Sequence, residues 1–212
     1  MMIVPEEIEK YIEQHTTEES DVLQKINRHT HLRMLKPNML SGHVQGRALA
    51  MLSKLIHPKY ILEIGTYTGY SAICLAEGIQ SGGKLITIDR NEELRENNAG
   101  FFEQAGVSDV VEPLFGNALT IIPQLNYTFD IVFIDADKVN YLNYYEMVID
   151  KVQPGSLIIA DNVLWKGKLI EPAHNDKDTK AIAEFNEHIQ NDNRVENILL
   201  SIRDGLFLIR KL

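Results

Sequence analysis

Two short segments gather oxygen donors. FIDADK (133–138) carries Asp135, Asp137 and Lys138, and IADN (159–162) carries Asp161 and Asn162. Carboxylate and amide oxygens, with no histidine or cysteine among them, are the ligand set of a hard cation such as Mg²⁺ or Ca²⁺. Mg²⁺ leaves its other positions to water or substrate oxygens. Taken singly, a strand-end Asp is more commonly the cap of the next helix. Asp135, Asp161 and Asn162 taken together, beside a glycine turn, favour ligation. Lys138 reads in two ways: as a solvated helix lysine, or as a base whose pKa a nearby metal lowers.

A second constellation is Glu63-Ile64-Gly65-Thr66-Tyr67-Thr68-Gly69, between an apolar run and a helical pattern. Glycine lets backbone amides come close to a ligand, and a helix N-terminus favours negative charge. The spacing is G-x-x-x-G, which is not the G-x-G-x-x-G dinucleotide fingerprint. Glu63 ends an apolar strand, where an unpaired carboxylate is costly. Asp89 ends the next strand, where an acidic side chain can take both hydroxyls of a ribose. These features together point to an adenosine-type cofactor.

Both constellations need strands to hold them. From Tyr60 onward, apolar runs at 60–64, 84–88, 110–115, 129–134 and 156–160 alternate with helical patterns at 69–80, 91–105, 117–124 and 138–152. That alternation predicts a parallel sheet covered on both faces, with ligands bound beyond the carboxyl ends of its strands. A helix over 178–191 then leads to two apolar runs separated by Asp204-Gly205, a hairpin signal that predicts an antiparallel edge. Residues 1–57 read as helical, broken at Pro37 and Gly42. With no repeat or linker in sight, the expectation is one domain over 1–212: an N-terminal helical segment (1–57) and an α/β core (58–212).

Composition narrows the function. The 212 residues include 21 Lys plus Arg against 30 Asp plus Glu, a formal net charge of −9. That balance suits a bulk nucleic-acid binder poorly, because such binders neutralise phosphates. A single cysteine, Cys74, excludes an internal disulfide and a cysteine-based zinc site. Glu6, Glu7 and Glu9 stand where a signal peptide would be basic, and no apolar run approaches the roughly 20 residues of a membrane span. A soluble, cytoplasmic protein is expected.

Four blocks, ILEIGTYTGYSA, ITIDR, FIDADKVNYLNYYE and IADNVLWKG, resemble in order and spacing the cation-dependent O-methyltransferases, which include the catechol and caffeoyl-coenzyme A enzymes and small bacterial relatives. The resemblance runs from about Met39 to Leu212 and is loose over 1–38. It implies the class I S-adenosylmethionine-dependent methyltransferase fold: α/β, Rossmann-like, with a seven-stranded mostly parallel sheet, a reversed last strand and helices on both faces. It also implies a homodimer. Carried over by position, Glu63, Gly65 and Thr66 belong to the cofactor loop and Ser71 to its helix. Asp89 takes the ribose, Ala118 lies against adenine and Ser41 meets the methionine part. Asp135, Asp161 and Asn162 hold the cation (Mg²⁺, with Ca²⁺ or Mn²⁺ as alternatives), Asp135 also borders the cofactor, and Lys138 is the base.

The implied chemistry is transfer of the S-adenosyl-L-methionine methyl group to one of two adjacent hydroxyls on a small catechol-like molecule. The cation acts as a Lewis acid and Lys138 takes the proton. An alternative acceptor is a wobble 5-hydroxyuridine in tRNA, which also offers adjacent oxygens; Lys166, Lys168, Arg203, Arg210 and Lys211 would then form a basic rim. Net charge favours the small phenol. A nicotinamide dehydrogenase is disfavoured by the glycine spacing, and a noncatalytic module would need neither ligands nor Lys138. Trp165 either lines the substrate pocket or anchors its loop. Specificity is expected in 1–45 and 165–180, where His29, His31, His43 and His174 read as surface residues.

Overall fold

The computed structural model describes residues 4–170 and 176–212. Three helices come first: α1 (Glu6–Gln14), α2 (Asp21–Arg33) and α3 (His43–Ile56). The alternating part follows as β1 (Tyr60–Ile64), α4 (Tyr70–Ala76), β2 (Lys84–Asp89), α5 (Arg95–Gln104), β3 (Val111–Phe115), α6 (Ala118–Ile121), β4 (Phe129–Ile134), α7 (Tyr141–Val148) and β5 (Val152–Asp161). The chain closes with α8 (Lys177–Gln190), β6 (Val195–Leu200) and β7 (Leu206–Lys211). No helix among the described residues is long and apolar enough to cross a membrane.

The seven strands form one sheet in the order β3-β2-β1-β4-β5-β7-β6. β1 to β5 run parallel, and β7 is the reversed strand, antiparallel to both β5 and β6. This is the architecture expected from the sequence. Two details differ. β5 begins at Val152, because Val152 pairs with Phe129 ahead of a register shift in β4. The β6–β7 connection spans residues 201–205 instead of a two-residue Asp-Gly turn, with Arg203 and Gly205 both at positive φ.

Strand alternation sorts the core into two layers. On β4, Val132 and Ile134 pack with Tyr141, Tyr145 and Phe185 from α7 and α8. Ile131 and Phe133 face the other way, toward Leu23, Ile26, Leu49 and the wholly buried α4. Each such side chain contributes about 1.5–3 kcal/mol on burial. α2 and α3 are therefore part of the core packing, whereas α1 buries none of its residues. Gly46 lets α3 settle onto α4, since a β-carbon there would stand 2.6 Å from the Tyr70 ring.

The register places the strand ends together. Ile64 pairs with Ile88 on one side and Ile134 on the other, and Ile134 pairs with Ala160. Glu63, Asp89, Asp135 and Asp161 thus share one edge of the sheet. Backbone bonds continue past the strands there, from Gly65 N–H to Ile88 C=O (2.9 Å) and from Asp135 N–H to Ile64 C=O (2.9 Å).

Candidate active site

The glycine turn is held from several sides. Gly65 has φ +107°, open to glycine, and a β-carbon there would overlap the Asp135 carbonyl. Tyr67 takes a left-handed φ of 45° without being glycine. Its N–H donates to Asp89 Oδ2 (2.7 Å), its carbonyl accepts from Asn98 Nδ2 (2.8 Å) and its hydroxyl donates to the Lys36 carbonyl (3.1 Å). Asp89 Oδ1 takes the Asn91 N–H (2.8 Å), so this carboxylate braces the loop as well as lying at the expected ribose position. Tyr67 lies within the glycine turn but was not singled out in the sequence, and Asn98, 31 residues further on, carried no cue there.

Glu63 is fully buried. Thr87 Oγ1 donates to its Oε2 and bonds in turn to Thr66, while Oε1 has no partner. Burial pushes the carboxyl up to about 8, with the Asp135 and Asp89 charges adding to the shift and nearby Ser71 and Thr87 hydroxyls opposing it. A carboxyl oxygen left without a partner in this loop fits a polar ligand group. Ser41, Thr66, Ser71 and Ala118 are all buried. Ala118 opens α6 behind the Asn117 cap. Arg203 Nη1 donates to the Leu40 (2.6 Å) and Ser41 carbonyls, fixing the Ser41 backbone from the far hairpin.

The oxygen donors also converge. Lys138 is buried, and its Nζ donates to Asp135 Oδ1 (3.2 Å), Asn162 Oδ1 (2.7 Å) and the Tyr141 hydroxyl. An ammonium has three protons, so all are used. The solvated reading of Lys138 is therefore excluded. Tyr141 donates to the Asp161 carbonyl (3.0 Å), and burial together with the Asp135 and Asp161 charges keeps it a neutral phenol. Asp161 is buried; its Oδ1 accepts the Asn162 N–H (2.7 Å) and its Oδ2 accepts Gln45 Nε2 (2.8 Å). Burial first, and the Asp135 charge second, push its carboxyl up, with Lys138 and Gln45 opposing.

Asp137 is turned away from this cluster. It accepts from Tyr144 (2.6 Å) and Asn140 and anchors α7, the cap-like role that any strand-end Asp can take. The remaining donors fit a hard cation: they are all oxygen, two of them already converge on one cationic nitrogen, and the buried Asp161 favours a neutralising charge. Another convergent set among the described residues, Glu146, His188 and Asp192, is bridged by Arg194, 2.6 Å from Asp192 and 3.1 Å from Glu146. That guanidinium holds the Asp192 carboxyl well below the usual range and supplies the positive charge that both carboxylates of the set meet. Hollows along α8, β6 and the Asn193–Arg194 turn contain no residue of the strand-end site.

Trp165 packs in its loop and lies beside Lys138. The half-buried ring packs against the core with its centroid 6.0 Å from Lys138 Nζ. Lys166 N–H to Asp204 Oδ1 (2.5 Å) fastens its loop to the β6–β7 turn. The proposed basic rim is partly consumed: Arg203 is turned inward, Arg210 pairs with Glu196 (2.7 Å) and Lys168 with Asp176 (3.6 Å). His31 is exposed, whereas His29 packs edge-on to Phe101 and His43 bonds the Thr17 carbonyl. His174 lies outside the described residues. Gln45, Tyr141 and Arg203 are site-bordering residues that sequence alone did not single out for these contacts.

Known proteins resemble this chain in sequence and fold. A family model described as O-methyltransferase matches residues 13–212. Caffeoyl-CoA O-methyltransferase 5 of Nicotiana tabacum is 38% identical over 186 residues, covering 82% of this chain and 78% of its own. The caffeoyl-CoA O-methyltransferase of Petroselinum crispum is 37% identical, with 82% and 77% covered. Among solved structures, the O-methyltransferase TomG from Streptomyces achromogenes, in complex with SAM, superposes with a TM-score of 0.88 at 30% identity, covering 97% of this chain and 96% of that one. An O-methyltransferase from Bacillus cereus in complex with SAH gives 0.86 at 30%, covering 97% of each. The chain belongs to the O-methyltransferase family.

Proposed function

We propose that this enzyme transfers the methyl group of S-adenosylmethionine to one hydroxyl of a vicinal-dihydroxy, catechol-like small molecule, with a divalent cation held by Asp135, Asp161 and Asn162. The observation that carries the reading is the convergence of Lys138 Nζ with Asp135 Oδ1 and Asn162 Oδ1 beside the glycine loop. Its cofactor half is supported by the relatives solved with SAM or SAH.

Within that reading, Gly65, Thr66 and Ser71 shape the cofactor wall, Glu63 offers its free Oε1, and Asp89 meets the ribose while bracing Tyr67. Ser41 and Ala118 flank the methionine and adenine ends. A bound divalent cation supplies Lewis acidity to adjacent substrate oxygens, and bound S-adenosylmethionine supplies the methyl electrophile. Lys138, once neutral, takes the hydroxyl proton at Nζ, and Tyr141 holds that nitrogen in place. The Trp165 ring, its centroid 6.0 Å from Lys138 Nζ, adds an aromatic face beside the base. Much of the acceleration comes from holding the reacting groups in line. Residues 1–212 act as one unit in this scheme, because Ser41 and Gln45 come from the N-terminal segment.

Methyl transfer from labelled S-adenosylmethionine tests this, with Mg²⁺ or with chelator, to a caffeate ester and to tRNA lacking its wobble methylation. Cation-dependent labelling of the catechol supports the proposal. Labelling of tRNA alone, lost after nuclease treatment, replaces the acceptor. Transfer unaffected by chelator removes the cation.

A further inference from the structure

The Asp161 carboxylate is held at both oxygens by different parts of the chain. Asn162 N–H, its own neighbour, takes Oδ1 at 2.7 Å, and Gln45 Nε2 takes Oδ2 at 2.8 Å from 116 residues away. We propose that Gln45 is the positioning residue of this carboxylate, through which the N-terminal helical segment sets the orientation of one cation ligand. The inference rests on the reading of Asp161 as a ligand.

Helix packing does not account for a glutamine here. Gln45 lies on the face of α3 that also buries Gly46, Leu49, Ala50 and Ser53, and it is 0% exposed. Only the amide NH₂ can donate to a carboxylate, which assigns the amide and turns Oε1 the other way. That Oε1 is buried and has no partner. A half-satisfied buried amide is less favourable than an apolar side chain of similar size. What the amide provides is one directed hydrogen bond to Asp161.

The donor is also fixed in space. Gly46, the next residue, packs α3 so closely on α4 that a β-carbon would meet Tyr70 at 2.6 Å and Cys74 Sγ at 2.9 Å. Upstream, Arg203 Nη1 clasps the Leu40 and Ser41 carbonyls, tying the approach to α3 to the β6–β7 turn. Gln45 is thus set from both sides and can restrain the carboxylate. Groups that orient metal ligands in this way change metal affinity by about 10–100-fold when removed.

Mn²⁺ serves as the probe, its binding to the purified protein with S-adenosylhomocysteine followed by electron paramagnetic resonance. Gln45→Met keeps length and removes the donor. It is expected to weaken Mn²⁺ binding by about 10–100-fold while S-adenosylhomocysteine affinity stays within about threefold and thermal stability is undiminished. Mn²⁺ affinity within about twofold of the unmodified protein overturns the inference. So does an equal loss of both affinities, the mark of a merely structural role. Asp161→Ala separates the two levels: if it still binds Mn²⁺ normally, the ligand reading itself fails. A measurement without substitution uses the Gln45 side-chain amide signals by nuclear magnetic resonance. Their shift on Mg²⁺ addition is expected, and unmoved signals in a protein that binds Mg²⁺ overturn the proposal.

Discussion

The backbone carbonyl of Asp135 fills the space that a side chain on Gly65 would need. Asp135 N–H also bonds the Ile64 carbonyl at 2.9 Å, so the two loops meet through backbone alone. The wall expected to face the cofactor and the residue expected to hold the cation are therefore one rigid piece. Sulfonium and nucleophile can be aligned without a moving part between them.

Gly65→Ala should break that piece. The new methyl overlaps the Asp135 carbonyl, and φ +107° is costly for alanine by about 1–3 kcal/mol before any clash is counted. The expected outcome is a lower melting temperature together with at least about a tenfold loss in S-adenosylhomocysteine affinity, since 1.4 kcal/mol is tenfold. Calorimetric titration beside a thermal melt checks both. Normal binding in a destabilised protein would uncouple the loop from the ligand.

Much of this site was legible in the sequence because its residues sit at strand ends. The runs at 60–64 and 129–134 became β1 and β4 over those same residues, and Glu63 and Asp135 followed from them. What stayed hidden needs three dimensions. Gln45 and Asp161 are 116 residues apart, Arg203 and Leu40 are 163 apart, and no local pattern links either pair. Tyr141, three residues after Lys138, was within reach of helical spacing, but YLNYYE offers three tyrosines, all of them buried, and only the fold brings the Tyr141 hydroxyl to Lys138. Family resemblance alone picked Asp135 over Asp137 as the expected ligand, and the structure shows Asp137 engaged by Tyr144 and Asn140.

Asp161→Ala should abolish methyl transfer while leaving S-adenosylmethionine affinity within about threefold, because the carboxylate faces Gln45 and Lys138 and not the glycine loop. Removing a buried carboxylate also relieves a desolvation cost, so the fold should not be weakened by the full value of the lost hydrogen bonds. Single-turnover assays and ligand titration measure the two effects. Normal turnover would sink the ligand assignment.

Lys138→Met keeps the apolar stem and deletes the ammonium. The rate of methyl transfer should fall by about 10²–10⁴, the usual range for a lost general base. Mn²⁺ binding should be retained or tightened, since a positive charge no longer contacts Asp135 and Asn162. Electron paramagnetic resonance and single-turnover kinetics give the comparison; a loss confined to metal binding would make Lys138 a structural counter-ion.

Asp89→Asn separates bracing from ribose binding. Asparagine can still accept from Tyr67 or Asn91 through one oxygen, yet it loses the paired acceptors that two ribose hydroxyls need. Affinity for S-adenosylhomocysteine should fall by about 1–3 kcal/mol, with a smaller fall in melting temperature from the one bracing bond that asparagine cannot accept. Unchanged affinity would remove the ribose assignment.

Glu63 makes a prediction about pH. Its carboxyl is raised from 4.5 to about 8, chiefly by burial. Between those values the folded chain keeps a proton at Glu63 that the unfolded chain has released. Stability then falls as pH rises, by about 1.4 kcal/mol per pH unit from this one group, and levels off above the folded value. Its contribution is fully present below the unfolded value. Glu63→Gln holds the uncharged form at every pH and removes that slope. Urea denaturation at pH 5.5, 6.5 and 7.5 should show the variant losing less stability across the series, the curves diverging most at the highest pH. Bound S-adenosylmethionine brings positive charge to the loop and should flatten the slope in the unmodified enzyme as well. Parallel curves for the two proteins without ligand would mean that Glu63 is ionised in the folded state throughout.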